Sequence, residues 1–314
     1  MTTSVPQRSR QSYRHEAFLW EERAAYVGGL VPYVVDGLDA GEAVLAVITP
    51  EHAGWIRDEL GPRASEVHFV DMVALGSNPP RVLPALQAFL DAWCAPGLPA
   101  RAFGDPMWPG QRREEVGEMQ LNEALVNLTV DPDLPFWLIC AYRADHLDEL
   151  RLADVACSHP VIATPTSYAG SAGYRGQDHA RELFAADLCD LGGADADVRV
   201  AATSLDLAAQ QVTLRATDAD LLSDRVVLLT DVVRGLVVDS IRRGAGTARL
   251  RLWDEPAELV CEVSDPAEVD DLLVGRRPPT SDRLDPVWFA NQVCDLVEVR
   301  SNQHGTSVRL HLGK

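Results

Sequence analysis

The sequence predicts a two-domain α/β protein, in which a mostly parallel sheet with helices on both faces is followed by a second α/β domain. Strand-like apolar runs alternate with helix-like segments between residues 44 and 142, which is typical of a parallel sheet. Between residues 226 and 312 the order changes to helix, strand, strand, helix, strand, strand. Glycine and proline are concentrated at residues 163–176, and this break separates the two regions.

Hydrophobic periodicity predicts the elements of the first domain. Residues 22–37 carry apolar side chains at helical spacing, and residues 44–48 are continuously apolar, as in a strand that is buried on both faces. Further helices are predicted at residues 51–60, 80–93 and 112–129, and further strands at residues 67–71, 100–105 and 135–142. Asp71, Asp105 and Tyr142 stand at strand ends, where parallel sheets bind ligands, so we expect these three side chains to converge.

The elements of the second domain follow from the same patterns. Residues 177–191 have a helical pattern, residues 192–197 form a second break, and residues 205–216 form the first helix of the domain. Apolar residues recur at three- and four-residue steps from Val226 to Ile241, and Gly244 marks the end of this helix. The remaining predicted elements are strands at residues 248–253 and 259–263, a helix at residues 287–296, and strands at residues 297–300 and 306–312.

These patterns also predict the domain boundaries. Residues 1–12 are expected to be disordered, and residues 13–162 form the first domain. Residues 163–196 form a linker with a connecting helix, and residues 197–314 form the second domain. A chain of 314 residues is long enough for two domains that each bury a core.

Charge and cysteine usage narrow the possible functions. The net charge of −19 argues against nucleic acid as a partner, because phosphates would be repelled, and favours basic protein partners. No apolar run approaches the length of a membrane span and the first 14 residues lack an export signal, so a cytoplasmic protein with no membrane partner is expected. Six cysteines without Cys-x-x-Cys spacing are expected to be buried thiols rather than disulfides or a zinc site.

Seven short motifs in the first domain occur in an order that resembles a known sensory domain. They are HEAF at 15–18, GEAVL at 41–45, FVDM at 69–72, GDPMW at 104–108, NEAL at 122–125, CAY at 140–142 and SHP at 158–160. Together they resemble the MEDS domain, the methanogen/methylotroph sensory domain, over residues 13–162. The resemblance implies a RecA-like architecture that senses a small molecule, and no Gly-x-x-x-x-Gly-Lys-Ser/Thr phosphate-binding motif occurs in the sequence.

The first domain contains a set of polar side chains that are candidates for ligand binding: His15, Asp71, Asp105, Glu123, Cys140, Tyr142 and His159. They form either a site for a polar small molecule or a structural hydrogen-bonded network, because buried polar groups need partners. The spacing of the His, Asp and Glu residues is not diagnostic of a metal, so no metal site is predicted. Cys140 lies in an apolar strand, which favours a small core residue over a reactive thiol.

The second domain resembles a nucleotide-binding fold. Its order of elements, together with residues 290–295 and 304–306, resembles the ATP-binding domain of the GHKL superfamily, an α/β sandwich. Within that superfamily, residues 190–314 are most similar to the anti-sigma-factor serine kinases of bacteria.

The resemblance also implies that the nucleotide site is degenerate. Family members carry a Glu that positions or activates the attacking group and, one helical turn later, an Asn that holds Mg²⁺, but Gly235 and Asp239 stand at these positions. The adenine-binding Asp-x-Gly becomes Asp265, Pro266 and Ala267, so the carboxylate remains and the glycine is lost. The phosphate-binding lid corresponds to residues 281–286, which include acidic residues and proline but no glycine. No catalytic residue and no cofactor are therefore expected.

The preferred functional hypothesis is a regulatory protein of the anti-sigma type. Its sensory domain detects a small molecule, and its kinase-like domain binds a sigma factor or an anti-sigma antagonist without phosphorylating it. The alternative is an active serine kinase that uses Asp239 and Asp265 to bind Mg-ATP. A third hypothesis is a scaffold with neither ligand nor sigma partner, which could form a homodimer.

Overall fold

The computed structural model describes residues 12–94, 98–279 and 285–314. The chain divides into two compact units, of which the first ends at Ala180 and the second begins at Arg181. All but one of the residues predicted to be disordered, and residues 281–284 of the predicted lid, lie outside the described residues. Among the helices that are described, none is long and apolar enough to cross a membrane.

The first unit is built on a seven-stranded sheet. Its strands are β1 (Arg14–Trp20), β2 (Ala43–Ile48), β3 (Val67–Asp71), β4 (Ala100–Gly104), β5 (Phe136–Arg143), β6 (Val161–Ala163) and β7 (Tyr168–Gly170). They lie in the order β3-β2-β4-β5-β1-β6-β7, and the one antiparallel pair in this sheet is β6 with β7. The helices are α1 (Arg23–Asp39), α2 (Pro50–Leu60), α3 (Met72–Gly76), α4 (Val82–Trp93), α5 (Arg113–Thr129) and α6 (Glu149–Ser158). The predicted mostly parallel α/β fold is confirmed.

Three strands of this sheet, β1, β6 and β7, were not predicted. The motif at residues 15–18 lies in β1, which pairs with β5 on one side and β6 on the other. Tyr168–Gly170 falls in the segment that composition assigned to a linker, yet it is strand β7 of the sheet. The hydroxyl of Tyr168 donates a hydrogen bond to Glu16 on β1 at 2.6 Å. The linker prediction is therefore corrected at its start, because glycine and proline content indicates turns but cannot exclude a three-residue edge strand.

The second unit contains a five-stranded antiparallel sheet. Helix α7 (Gln177–Ala185) crosses the boundary between the units, and the strands are β8 (Ala196–Ala201), β9 (Thr247–Asp254), β10 (Glu258–Asp265), β11 (Leu296–Asn302) and β12 (Gly305–Gly313). Their order is β11-β12-β10-β9-β8. The helices are α8 (Leu205–Asp218), α9 (Ser223–Arg242) and α10 (Pro286–Val293). The order predicted from α9 onward is confirmed, whereas β8 occupies the end of the predicted second break and was missed.

Helix α9 buries the apolar face that its sequence predicts. Val226, Leu229, Val233, Leu236 and Val237 are all buried, and they recur at three- and four-residue steps. Gly244 follows the helix with a φ of +92°, a left-handed conformation that glycine adopts without steric cost. The predicted end of this helix is therefore confirmed within two residues.

A buried histidine gives the second unit a pH-dependent stability. His311 on β12 lies 3.1 Å from a carboxylate oxygen of Glu258 and 3.1 Å from one of Glu298. Burial alone would lower the pKa of His311, but hydrogen bonds with these two carboxylates outweigh burial and raise the pKa. A raised pKa in the folded state means that the protonated ring stabilises the fold fully below the unfolded value of about 6.5.

We therefore expect the free energy of unfolding of this unit to fall as the pH rises from about 6.5 through the raised pKa of His311. Urea unfolding of the full chain across this range, followed by a probe of the second unit, measures the effect. The His311→Gln variant should lose this part of the pH dependence, because its amide does not titrate. An identical pH profile in the variant and the wild type would show that His311 is not the group responsible.

Candidate functional site

A pocket of about 700 Å³ lies in the first unit, at the carboxyl ends of β1, β2, β4 and β5. Pockets of about 300–1,000 Å³ are typical of small-molecule sites, and the carboxyl edge of a parallel sheet is where such sites form. Aromatic and polar side chains both contribute to the lining, among them Trp20, His52, Trp55, Asp105, Trp108 and Arg143. The pocket can therefore hold an apolar body and orient a polar group.

Asp105 is the most constrained polar group of this pocket. It follows β4 directly and is 1% exposed. Its carboxylate accepts hydrogen bonds from the Tyr26 hydroxyl at 3.0 Å and from the Thr49 backbone N–H at 2.9 Å. The Nδ1 atom of His52 lies 2.7 Å from the second carboxylate oxygen. Three partners hold the carboxylate in one orientation, as a preformed binding site requires.

Aromatic rings surround His52, the histidine that contacts Asp105. The ring centroids of Tyr26 and Trp55 both lie 4.5 Å from that of His52, and the centroid of Trp20 lies at 5.3 Å. His52 was not predicted as a site residue. It stands three residues after Thr49, close to the carboxyl end of β2, and ligands bind at the carboxyl ends of parallel strands.

The three strand-end residues that were expected to converge lie in different environments. Asp71 accepts hydrogen bonds from the backbone N–H groups of Val73 and Ala74 and caps α3. Asp105 lies at the pocket, whereas the hydroxyl of Tyr142 donates to Glu123 at 2.9 Å. Alternation along β5 explains the separation of Tyr142, because its neighbours Ala141 and Arg143 line the pocket and its own side chain points to the other face of the sheet. The expected convergence is therefore corrected.

A second group of predicted residues does come together on that other face. His15 from β1, Glu123 from α5, Cys140 from β5 and His159, which follows α6, place their functional atoms within 4.8 Å of one another. His159 Nε2 lies 3.1 Å from Glu123 Oε2, and His15 Nε2 lies 3.6 Å from the same oxygen. His15 Nε2 also lies 3.3 Å from Cys140 Sγ. We refer to these four residues as the histidine cluster.

Burial sets the protonation of the histidine cluster. The pKa of His15 is lowered, first by burial and then by the charge of His159. Burial raises the pKa of the Cys140 thiol well above its usual value, and the charge of Glu123 adds to this effect. Burial alone would also raise the pKa of Glu123, but hydrogen bonds with both histidines outweigh it and hold that pKa well below its usual range. Near neutral pH the cluster therefore combines a carboxylate, a neutral His15 ring and a thiol.

In the second unit, an arginine occupies the position between the acidic residues of the predicted nucleotide site. Arg243 donates to Asp239 at 3.1 Å and to Asp265 at 2.6 Å, and it also donates to the backbone oxygen of Ala267 at 3.2 Å. The cavity lined by Asp239, Arg243 and Asp265 has a volume of about 20 Å³. This cavity has room for one water molecule, which needs roughly 10–15 Å³. Asp265 also lines a separate pocket of about 420 Å³.

Little space is left at Gly235, the helix position at which the resemblance implies a Glu. A Cβ atom added to Gly235 would lie 3.0 Å from the Cβ of Pro286, the first residue of α10. Asp285 of the predicted lid caps this helix, because its carboxylate accepts hydrogen bonds from the N–H groups of Val287 and Trp288. Arg243 was not predicted to take part in this site. It stands four residues after Asp239, a spacing at which oppositely charged side chains on a helix form ion pairs.

Comparison with known proteins identifies the first unit but not the second. No curated protein matches the chain. Residues 14–160 match the family model described as MEDS: MEthanogen/methylotroph, DcmR Sensory domain. This segment contains the pocket and the histidine cluster. The sequence-based resemblance is therefore confirmed for residues 14–160, and the match to a sensory domain suggests a sensory or regulatory role for the protein.

Proposed function

We propose that the chain is a cytoplasmic regulatory protein of the anti-sigma type. Its first unit binds a small-molecule signal, and its second unit is a GHKL-type domain that binds a sigma factor or an anti-sigma antagonist without using ATP. The observation that carries the proposal is the pocket of about 700 Å³, which lies within the segment that matches a sensory domain.

The chemistry of the pocket favours a small molecule with an apolar body and one polar end. Trp20, Trp55 and Trp108 supply flat apolar surface, and the fixed carboxylate of Asp105 with its partner His52 supplies a polar anchor. Such a combination, a mostly apolar cavity with a few well-placed polar groups, is typical of specific ligand sites. Binding there would act on the ends of four strands of the sheet, from which a signal could pass to the rest of the chain.

The second unit supports an output by protein binding rather than by phosphoryl transfer. Arg243 forms ion pairs with the two carboxylates on which Mg-ATP binding would depend, so a magnesium ion would have to displace it. Gly235 provides no side chain that could act as a base. These features favour the regulatory hypothesis over the kinase alternative. The net charge of −19 favours a basic surface on the partner.

A ligand screen tests the sensory half of the proposal. Small amines, alcohols and carboxylic acids are screened by the thermal unfolding of the full chain. A true ligand at about 100 times its Kd should raise the unfolding midpoint of the first unit by about 5–10 °C. Val73 lies on α3, lines the pocket and is 40% exposed, so Val73→Arg should block the shift. Val227 on α9 is 60% exposed, and Val227→Arg is the matched control that should keep it.

The sensory assignment would be wrong if no compound shifted the midpoint. It would also be wrong if Val73→Arg and Val227→Arg responded alike, because binding would then not involve the pocket.

A pairwise binding assay tests the output half. Immobilised full-length protein is offered purified sigma factors and their antagonists, first without nucleotide and then with Mg-ATP. We expect one partner to bind equally under both conditions and to dissociate more readily at high salt, since charge complementarity contributes to the complex. Binding that requires ATP, or no binding across the whole set, would refute this half and leave the ligand assay unaffected.

A further inference from the structure

The histidine cluster has a feature that the proposed function does not explain, which is that both of its histidines turn Nε2 towards Glu123. The side-chain nitrogen of Asn127 donates to the backbone oxygen of Ser158 at 2.8 Å, so the side-chain oxygen is the atom that faces His15. His15 Nδ1 lies 3.0 Å from that oxygen and must donate to it. The proton of a neutral His15 ring is therefore on Nδ1, and the lone pair of Nε2 points towards Glu123 and Cys140.

The second histidine is oriented in the same way. His159 Nδ1 lies 2.8 Å from the backbone oxygen of Val155, an atom that can only accept, so Nδ1 carries a proton. Nε2 is therefore the ring nitrogen of His159 that faces the cluster, and it lies 3.1 Å from the carboxylate of Glu123. Either a proton or a metal ion between these two atoms makes the contact favourable.

The spacing of the cluster fits a metal ion. Three separations within it are 3.1, 3.3 and 3.6 Å, and they share the Nε2 atom of His15 and one oxygen of Glu123. The Tyr142 hydroxyl donates to that oxygen at 2.9 Å. Four ligands around Zn²⁺, with bonds of about 2.0–2.3 Å in a tetrahedral arrangement, stand roughly 3.3–3.8 Å apart. The observed distances need only small side-chain adjustments to reach that range.

We propose that His15 Nε2, His159 Nε2, Glu123 and Cys140 Sγ form a binding site for a zinc-type divalent cation. Two imidazoles, a carboxylate and a thiolate are ligands that zinc prefers, and the thiolate disfavours Mg²⁺ and Ca²⁺. The contacts of both Nδ1 atoms with oxygen acceptors are the outer contacts that orient metal-binding histidines in other proteins. Metal binding releases the Cys140 proton to solvent, since the sulfur coordinates as a thiolate.

The position of this site indicates what the metal does for the fold. Its four ligands come from β1, α5, β5 and the residue after α6, so one ion would connect four elements that are distant in sequence. Glu123 and Cys140 also line a cavity of about 70 Å³, which exceeds the roughly 10–15 Å³ that one water molecule needs. Alternate residues of β5 face the pocket and the cluster, so the metal would connect the sheet beneath the sensory pocket to α5.

Metal titration of the full-length protein tests this inference. Apoprotein is prepared with a chelator and titrated with Zn²⁺ and with Co²⁺, and circular dichroism confirms that it is folded. We expect one metal ion per chain in competition with a chromophoric chelator, tetrahedral cobalt absorption bands, and a thiolate-to-cobalt charge-transfer band. Folded wild-type protein that binds neither ion would overturn the proposal and would show that a proton alone holds the cluster.

Variants assign the site to these residues. Cys140→Ser should abolish the charge-transfer band, whereas Cys261→Ser, which changes another buried cysteine outside the cluster, should leave it unchanged. A charge-transfer band that persists in Cys140→Ser would overturn the proposal. If Cys140→Ser fails to fold, Asn127→Ala replaces it, because loss of an outer contact should weaken zinc binding about 10–100-fold. Unchanged zinc affinity in Asn127→Ala would then count against the site, while the ligand screen for the pocket would be unaffected.

Discussion

The Arg101→Met variant should lose about 3–5 kcal/mol of the unfolding free energy of the first unit, because it removes one partner of a buried ion pair. Arg101 on β4 is 3% exposed, and its guanidinium forms an ion pair with Glu42, which is 6% exposed. The same group donates to the backbone oxygen of Tyr33 at 2.8 Å and lies over the rings of Tyr33 and Trp137. Methionine replaces the apolar stem but leaves the Glu42 carboxylate without this cation.

Urea unfolding of the full chain, followed by a probe of the first unit, measures this loss. Arg63→Met is the matched control, since Arg63 pairs with Asp39 and Glu66 at the surface and its removal should change little. Adding Glu42→Leu to Arg101→Met should recover part of the loss, because no charge then remains at this position. An unfolding free energy for Arg101→Met within about 1 kcal/mol of the wild type would contradict the importance of this pair.

The Arg243→Met variant should destabilise the second unit by about 2–3 kcal/mol, less than Arg101→Met because Arg243 is partly exposed to solvent. The side chain of Asp265 is 3% exposed, whereas that of Arg243 is 25% exposed. Without Arg243, the carboxylate of Asp265 keeps its hydrogen bond from the Ala267 N–H at 2.8 Å but loses its cation.

Chemical unfolding of the second unit checks this prediction. The matched control is Arg234→Met, which removes an exposed arginine of the same helix that pairs with Asp206, and it should cost no more than about 1 kcal/mol. Equal stabilities for Arg243→Met and Arg234→Met would mean that Arg243 is an ordinary surface side chain. Arg243 would then not hold the carboxylates of Asp239 and Asp265, and Mg²⁺ could bind to them in its place.

Local sequence patterns were enough to predict most of the architecture. The apolar run of β2 and the periodic apolar face of α9 each indicate burial directly, because the residues that form each pattern lie close together in the sequence. Strand β1 was missed because its burial pattern includes His15 and Glu16, polar residues whose partners come from distant parts of the chain. Three-residue strands such as β7 carry too little periodicity to stand out from a turn-rich composition.

The candidate site was predicted only in part, because its contacts also join residues that are distant in the sequence. Motif resemblance selected His15, Glu123, Cys140 and His159, but it could not show that His15 and His159 meet, because that contact depends on β1 pairing with β6. Cys140 was interpreted as a core thiol. Its side chain is indeed buried, but this interpretation did not include its contact with His15. The face on which a strand residue points became clear only from the sheet, and this is why Tyr142 was wrongly grouped with Asp105.

Isothermal titration of Mg-ATP into the full-length protein tests the central claim, that the second unit acts without nucleotide, most directly. Because Arg243 is paired with both Asp239 and Asp265 and the cavity beside them is about 20 Å³, we expect no saturable heat up to about 1 mM ATP. A Kd above this concentration corresponds to a binding free energy weaker than about 4 kcal/mol. Micromolar binding that depends on Mg²⁺ and disappears in Asp265→Asn would contradict this account and favour an active kinase.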